Sequence, residues 1–264
     1  RRARRANPAA RLIVTGCAAE TEREAIAAMP EVDGLVANAA KLDPRAWNLP
    51  ESAPPAPKHR TRAFVAVQNG CDHACTFCVI PQGRGASRSL TIAEVLREVE
   101  RHLKEGAPEI VLTGVDVTSW GHDLPDRPPL GALVQAILEG FPDLARLRMS
   151  SLDGIEIDPL LFELLASEKR LMPHLHLSLQ HGHDLILKRM KRRHSRAQAV
   201  KLVSDLRARR PDLAVGADLI AGFPTESDEH HEANLSIVRD LQIVHCHVFP
   251  YSPRDNTPAA RMPQ

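Results

Sequence analysis

Between Arg62 and Phe249, short apolar runs alternate with stretches whose apolar residues recur every three to four positions. The first pattern predicts buried strands and the second amphipathic helices. Predicted strands are Ala63–Gln68, Glu109–Thr113, Arg146–Ser150, His174–Leu179, Leu213–Ile220 and Ile243–Phe249. After the first strand, Thr91-x-x-Glu94 forms a capping box, and Ile92, Val95, Leu96, Val99 and Leu103 share one helical face. Leu130, Leu133, Val134, Ile137 and Leu138 mark a second helix, ended by Gly140 and Pro142. Asp158-Pro159 opens a third with an N-cap and a proline at its first position. Asp184–Met190, Arg196–Arg209 and Ser227–Leu241 continue the rhythm. This alternation predicts an α/β fold with a parallel sheet. Six units in so short a region fit a partial (β/α)6 TIM-like barrel better than a full barrel of about 250 residues.

Residues 1–49 have a different character. Arg11–Val14 is a short strand ending at Thr15-Gly16-Cys17; Ala18–Met29 reads as one helix stopped by Pro30, and Val32–Val36 as another strand. One and a half β/α units cannot close a core. With no initiator Met, the chain reads as a piece of a longer protein whose N-terminal α/β domain is only partly present. Residues 50–60, with four prolines between Pro50 and Pro57, read as a linker. The partial barrel then spans 61–253, and 254–264 lead toward a further domain.

The composition narrows the chemistry. The charge is balanced at +1, so RNA binding would need local basic patches. Two such runs exist: Lys188, Arg189, Lys191, Arg192, Arg193, His194 and Arg196, and Arg1, Arg2, Arg4 and Arg5. Each reads either as a phosphate-neutralising patch or as a solvated face. No membrane-spanning run or signal peptide is visible, and five cysteines with three crowded together point to metal in a reducing cytoplasm rather than to disulfides. Those three are Cys71, Cys75 and Cys78, spaced C-x3-C-x2-C directly after the first barrel strand. Three thiolates on one loop suit a [4Fe–4S] cluster with one iron left open. A zinc site with His73 as fourth ligand is the alternative.

An aromatic before the last cysteine, Phe77, completes a pattern that resembles the radical S-adenosylmethionine superfamily. NGCDHACTFCVIPQGRGASRS, VLTGVDVTSWG, RLRMSSLD, HLHLSLQHG, LKRMKRRHSR, DLIAGFPTE and HVFPYSPRDNTPA are together similar to the tRNA methylthiotransferases, nearest the branch acting on N6-threonylcarbamoyladenosine beside the anticodon. The resemblance implies addition of a methylthio group to C2 of that base, using S-adenosylmethionine and, in a full-length protein, two [4Fe–4S] clusters. It implies tRNA, a low-potential electron donor and a sulfur source as partners, and an RNA-binding C-terminal domain. Cys71, Cys75 and Cys78 would hold the radical-generating cluster, and Cys17 one iron of the auxiliary cluster. Thr113, Gly114 and Asp116 would receive the methionine ammonium, Ser150 and Ser151 cofactor oxygens, Arg192 the methionine carboxylate, Gly222 the adenine, and Phe77 would shield one side.

Several of these positions also have plainer readings. Asp116 suits a turn cap, Ser150 and Ser151 a solvated turn, and Gly222 with Pro224 a tight strand-to-helix turn. His181 stands where the resemblance expects Ser; with His183 it reads as an exposed loop residue, and Cys246 as a small strand hydrophobe. Methylthiolation of isopentenyladenosine, or of a ribosomal-protein aspartate, is the alternative substrate reading. A metal-containing RNA-binding protein without catalysis is the alternative class.

Overall fold

The computed structural model describes residues 1–41, 43–48 and 61–264, so the expected linker at 50–60 lies outside the described residues. The chain sorts into two compact units. One takes the described part of Arg1–Ala56 with Gly70–His73 and Val79–Ala86; the other takes the described part of Pro57–Asn69 with Ala74–Cys78 and Ser87–Gln264.

In the first unit, α1 (Arg2–Ala6) precedes β1 (Ile13–Thr15), which pairs in parallel with β2 (Gly34–Val36). The helix expected over Ala18–Met29 is instead two pieces, α2 (Cys17–Thr21) and α3 (Arg23–Ala27). Between them Glu22 leaves the helical region at φ −124, ψ 33, and the Thr21 hydroxyl donates back to Cys17 O at 3.2 Å. The N-terminal arginines are partly spent within the unit: Arg4 bonds to Asp33 and to the carbonyls of Pro8 and Glu31.

In the second unit, β3 (Arg62–Ala66) is shorter than the apolar run predicts. After Val67 the chain turns into β4 (Gln68–Asn69), whose antiparallel partner is β5 (Arg88–Ser89); between them in sequence lies α4 (Ile80–Arg84), which belongs to the first unit. Then follow α5 (Ile92–Lys104), β6 (Glu109–Thr113), α6 (Leu130–Gly140), β7 (Arg146–Met149), α7 (Pro159–Ser167), β8 (His174–Gln180), α8 (Asp184–Arg189), α9 (Arg196–Arg209), β9 (Ala214–Ala221), α10 (Asp228–Asp240) and β10 (Ile243–Pro250). The predicted caps are present, the box at Thr91 with Glu94 and the Asp158 carboxylate on Leu161 N, and a further capping box joins Ser195 with Gln198.

The strand order is β3-β6-β7 and β8-β9-β10, every pairing parallel. Parallel bridges Leu147–Leu171 and Leu152–Leu177 connect the two sheets into one curved wall. No pairing closes β10 onto β3 among the described residues, so the wall is the expected six-stranded partial barrel. Alternation along each strand sends Val65, Ile110, Leu112, Leu147, Leu175 and Val215 outward into a core with Val99, Leu133, Ile137, Leu161 and Leu206 of the helices. The opposite, inward face is mostly polar, with Arg62, Glu109, Arg146 and Arg148, His174 and His176, Asp218, and His245 and His247 beside the apolar Phe64. No described helix is long and apolar enough to cross a membrane.

Candidate cofactor site at the strand ends

Because the six strands are parallel, the segments that follow them gather at one rim of the wall. The cysteine loop divides between the units: Cys71 belongs to the first, Cys75 and Cys78 to the second. All three thiols are half-buried and free of disulfides. In the first unit, Gly70 has φ +79, and a Cβ there would meet Ala86 O at 2.0 Å, so the turn into Cys71 admits only glycine. Cys71 N–H then donates to Gly85 O at 3.1 Å.

In the second unit, the loop is fastened by Thr76. Its N–H donates to Met190 O at 3.1 Å, its hydroxyl to Arg189 O at 2.9 Å, and its carbonyl accepts Ala259 N–H at 2.9 Å. Beside it, Phe77 meets Phe223 edge-on at 6.4 Å, and Phe223 meets Tyr251 at 5.5 Å. These rings pack on Ile186, Met190 and Ile220, an apolar floor separate from the main core. Cys75 Sγ accepts a weak hydrogen bond from Arg192 Nη1 at 3.6 Å.

The turn after β6 is held from β4. Gln68 Oε1 accepts Val115 N–H at 3.1 Å and Asp116 N–H at 2.9 Å, and its amide donates to Ser87 Oγ at 2.9 Å. Gly114 sits where a Cβ would press on the Gln68 carbonyl at 2.9 Å. The Asp116 carboxylate accepts Ser119 Oγ at 2.8 Å, as a turn-capping residue does. Thr113 ends β6 and keeps its carbonyl on Val67 N–H. The sequence gives no signal for Gln68, since its contacts cross 47 and 48 positions.

Arg192 is already engaged. Its Nη2 donates to Asp153 Oδ2 at 2.9 Å and to Ser178 O at 2.8 Å, with its side chain 8% exposed. Asp153 also takes Arg193 at 2.9 Å, and His194 lies 3.7 Å from its other oxygen. Burial lowers the pKa of His194, with Arg192 adding to it, against the opposing pull of Asp153 and of the hydrogen bond with Leu179 O at 3.1 Å. Arg196 binds Asp240, Ser236 and two carbonyls, and Arg189 binds Thr225. The basic run from Lys188 to Arg196 is therefore not a uniform phosphate patch. Its guanidinium groups are consumed inside the unit, while Lys188 and Lys191 remain exposed. Asp153, which organises this run, was not singled out by sequence pattern because its partners lie about forty positions away.

Several polar atoms at the rim are buried without a partner: Ser150 Oγ, Tyr251 Oη and Arg192 Nε. Such atoms cost about 1–3 kcal/mol each unless something bonds them. Ser151 is exposed. Gly222 has φ +72 and nothing within 4 Å of where a Cβ would stand, so open space faces the backbone there. At the rim of the second unit, unpaired donors and a bare glycine suit a polar, zwitterionic cofactor, and Cys75 and Cys78, outside any disulfide, are thiols of the kind that hold an iron–sulfur cluster. Tyr251 adds an unpaired hydroxyl whose pKa burial raises.

In the first unit, Cys17 starts α2 against α4. A Cβ on Gly83 would come within 2.8 Å of the Cys17 Cβ, so glycine lets the two helices close. Asn38, buried, donates to Gly83 O at 2.9 Å with Cys17 Sγ 4.0 Å away. The two histidines after β8 depart from expectation. His181 is fully buried, 3.7 Å from Glu226, and accepts His183 N–H at 3.0 Å. His183 is half-buried and caps α8 through Leu185 N–H. The turn is packed under α10, so neither is a free loop side chain. Cys246 packs partly buried on the main core, with burial raising its thiol pKa.

Comparison with known proteins agrees with this arrangement. Along its whole length the chain is 44% identical to threonylcarbamoyladenosine tRNA methylthiotransferase MtaB of Rickettsia prowazekii, of which it covers 66%. The MtaB of Bacillus subtilis is 34% identical over 99% of the chain and 62% of that protein. A tRNA-2-methylthio-N(6)-dimethylallyladenosine synthase of Rickettsia rickettsii is 35% identical over 94% of the chain and 61% of that protein. The chain thus spans somewhat under two thirds of the length of these relatives. Among solved structures, the radical S-adenosylmethionine methyltransferase TsrM of Kitasatospora setae, with cobalamin and a [4Fe–4S] cluster bound, matches with a TM-score of 0.62 at 18% identity. That match covers 75% of this chain and 38% of that one. SuiB of Streptococcus suis bound to S-adenosylmethionine matches at 0.54 and 16% identity, over 77% of this chain and 44% of that one. A family model for the radical SAM superfamily matches residues 65–236, which take in the cysteine loop and the first five strand ends, and by that match and by its parallel half-barrel the chain belongs to the radical SAM superfamily.

Proposed function

We propose that this chain is the radical-generating part of a tRNA methylthiotransferase that modifies C2 of N6-threonylcarbamoyladenosine in the cytoplasm. The observation that carries the substrate is the 44% identity, over the whole chain, to a threonylcarbamoyladenosine enzyme, against 35% to a dimethylallyladenosine enzyme.

Cys71, Cys75 and Cys78 would hold the [4Fe–4S] cluster, and Cys17 would contribute to an auxiliary one. When bound, cluster and S-adenosylmethionine supply the radical that removes hydrogen from C2 and the groups that replace it. The protein's part is to bind and to shield. Thr76 and Phe77 keep the cysteine segment on a dry floor. Ser150 and Tyr251 offer hydroxyls, and Arg192 offers the Nε that Asp153 leaves unpaired, to the cofactor's polar end. Thr113, Gly114 and Asp116, on a turn fixed by Gln68, offer backbone carbonyls and a carboxylate to its ammonium, and Ser151 an exposed hydroxyl. Gly222 leaves space for adenine against backbone. A tRNA, a low-potential reductant and a sulfur source complete the reaction.

Nucleoside mass spectrometry of tRNA from a deletion strain tests the reading. The 2-methylthio form of threonylcarbamoyladenosine should vanish and return with the full-length gene. Replacing Cys71, Cys75 and Cys78 together with Ala should remove about four irons and prevent that rescue. Loss of the 2-methylthio form of the dimethylallyl nucleoside instead would shift the substrate to the second reading. Rescue by a zinc-only protein would end the radical one.

A further inference from the structure

On the inner face of the second unit, below the rim, three strands bring together donors that the proposed reaction does not use. His176 of β8, Asp218 of β9 and His247 of β10 present ligand atoms within 4.8 Å of one another. Their strands are adjacent and paired in parallel, with Asp218 level with His247 and His176 level with Gly216. His176 Nε2 lies 3.1 Å and His247 Nδ1 3.0 Å from the same carboxylate oxygen, Asp218 Oδ1. Gly216 makes this possible, because a Cβ there would stand 2.5 Å from His176 Nδ1.

We infer that His176, Asp218 and His247 form a divalent-cation site of the two-histidine, one-carboxylate kind, suited to zinc or iron(II). Four-coordinate zinc with bonds of roughly 2.0–2.1 Å sets neighbouring ligand atoms about 3.3 Å apart, close to the 3.0 and 3.1 Å seen here. The chemistry of the set agrees: imidazole and carboxylate donors with open positions select borderline first-row divalent ions. The outer partner of a metal-bound histidine is also in place. With Nδ1 turned to the cation, His247 carries its proton on Nε2, and His245 Nε2 lies 2.9 Å away to accept it. His247 is half exposed, its side chain at 51%, so the remaining positions face the open side of the wall, where water or a substrate oxygen can enter. Strand-mounted donors in fixed register need little rearrangement to bind.

The site is independent of the substrate proposed above, and its test does not need turnover. Untagged protein carrying its iron–sulfur complement is dialysed against micromolar zinc, and zinc, iron and sulfide are measured together. One zinc per chain should bind in addition to unchanged iron and sulfide, with nitrogen and oxygen scattering in the zinc X-ray absorption spectrum. His247→Ala and Asp218→Asn should each weaken it by more than about 100-fold, and His245→Ala by about 10-fold. Should Asp218→Asn not fold, His247→Ala at a half-exposed position decides alone. Equal zinc in wild type and His247→Ala, or a zinc spectrum dominated by sulfur, would overturn the site and leave these residues a hydrogen-bonded cluster only.

Discussion

His181 should make the fold sensitive to mild acid. The imidazole is fully buried beneath α10, with its Nδ1 taken by His183 N–H at 3.0 Å. Burial is the main force keeping it neutral; Glu226, 3.7 Å away, pulls the other way, and His183 and His230 add a smaller repulsion. The net result is a pKa lowered from 6.5 to about 4. The unfolded chain accepts this proton near 6.5 and the folded chain resists it down to about 4, so the unfolded state binds more protons in between. Stability is therefore complete above 6.5 and is lost as pH falls toward 4. At about 1.4 kcal/mol per unit, the whole loss is about 3 kcal/mol, with about 2 of it reached by pH 5. The assay is urea denaturation of wild type and His181→Gln at steps from about pH 7.5 to about pH 5, taking the difference in unfolding free energy. Carboxylates and His194 titrate in both proteins and cancel. The difference should be constant above 6.5 and then shrink by about 2 kcal/mol in favour of the variant. A difference that stays level throughout would refute the reasoning, because the buried ring would then be charging freely against Glu226.

Two further outcomes follow from the rim. Asp153→Asn removes the carboxylate paired with the buried Arg192 guanidinium, leaving it Ser178 O and the Cys75 sulfur, and should cost about 3 kcal/mol in urea, whereas a change under about 1 kcal/mol would show that Arg192 is not held by this pair. Gly222→Val places a branched side chain at φ +72, at a strain of about 1–3 kcal/mol, and fills the space facing the strand end; S-adenosylmethionine binding, read by equilibrium dialysis, should fall sharply while iron content is unchanged, and undiminished affinity would place the adenine elsewhere.

What the sequence alone determined is local in origin. Six strands and their covering helices were legible because burial on one face imposes a period, and because caps such as Thr91 and Asp158 act within three residues. The cysteine loop was legible for the same reason, since its three thiols lie within eight positions. Tertiary structure decided everything that depends on strands meeting. The spacing of Cys71, Cys75 and Cys78 could not show that the loop divides between two units, nor that the run after Ala66 leaves the parallel sheet to pair with Arg88–Ser89. A run of cations looks alike whether it neutralises phosphate or is solvated; only folding delivered Asp153 to Arg192 and Arg193 and made them an internal anchor. The histidines show it most plainly. His176, Asp218 and His247 are separated by dozens of residues, and nothing in their spacing links them, but parallel register across β8, β9 and β10 sets them side by side. Side-chain chemistry is written one residue at a time, whereas its neighbours are chosen by which strands pair and in what register.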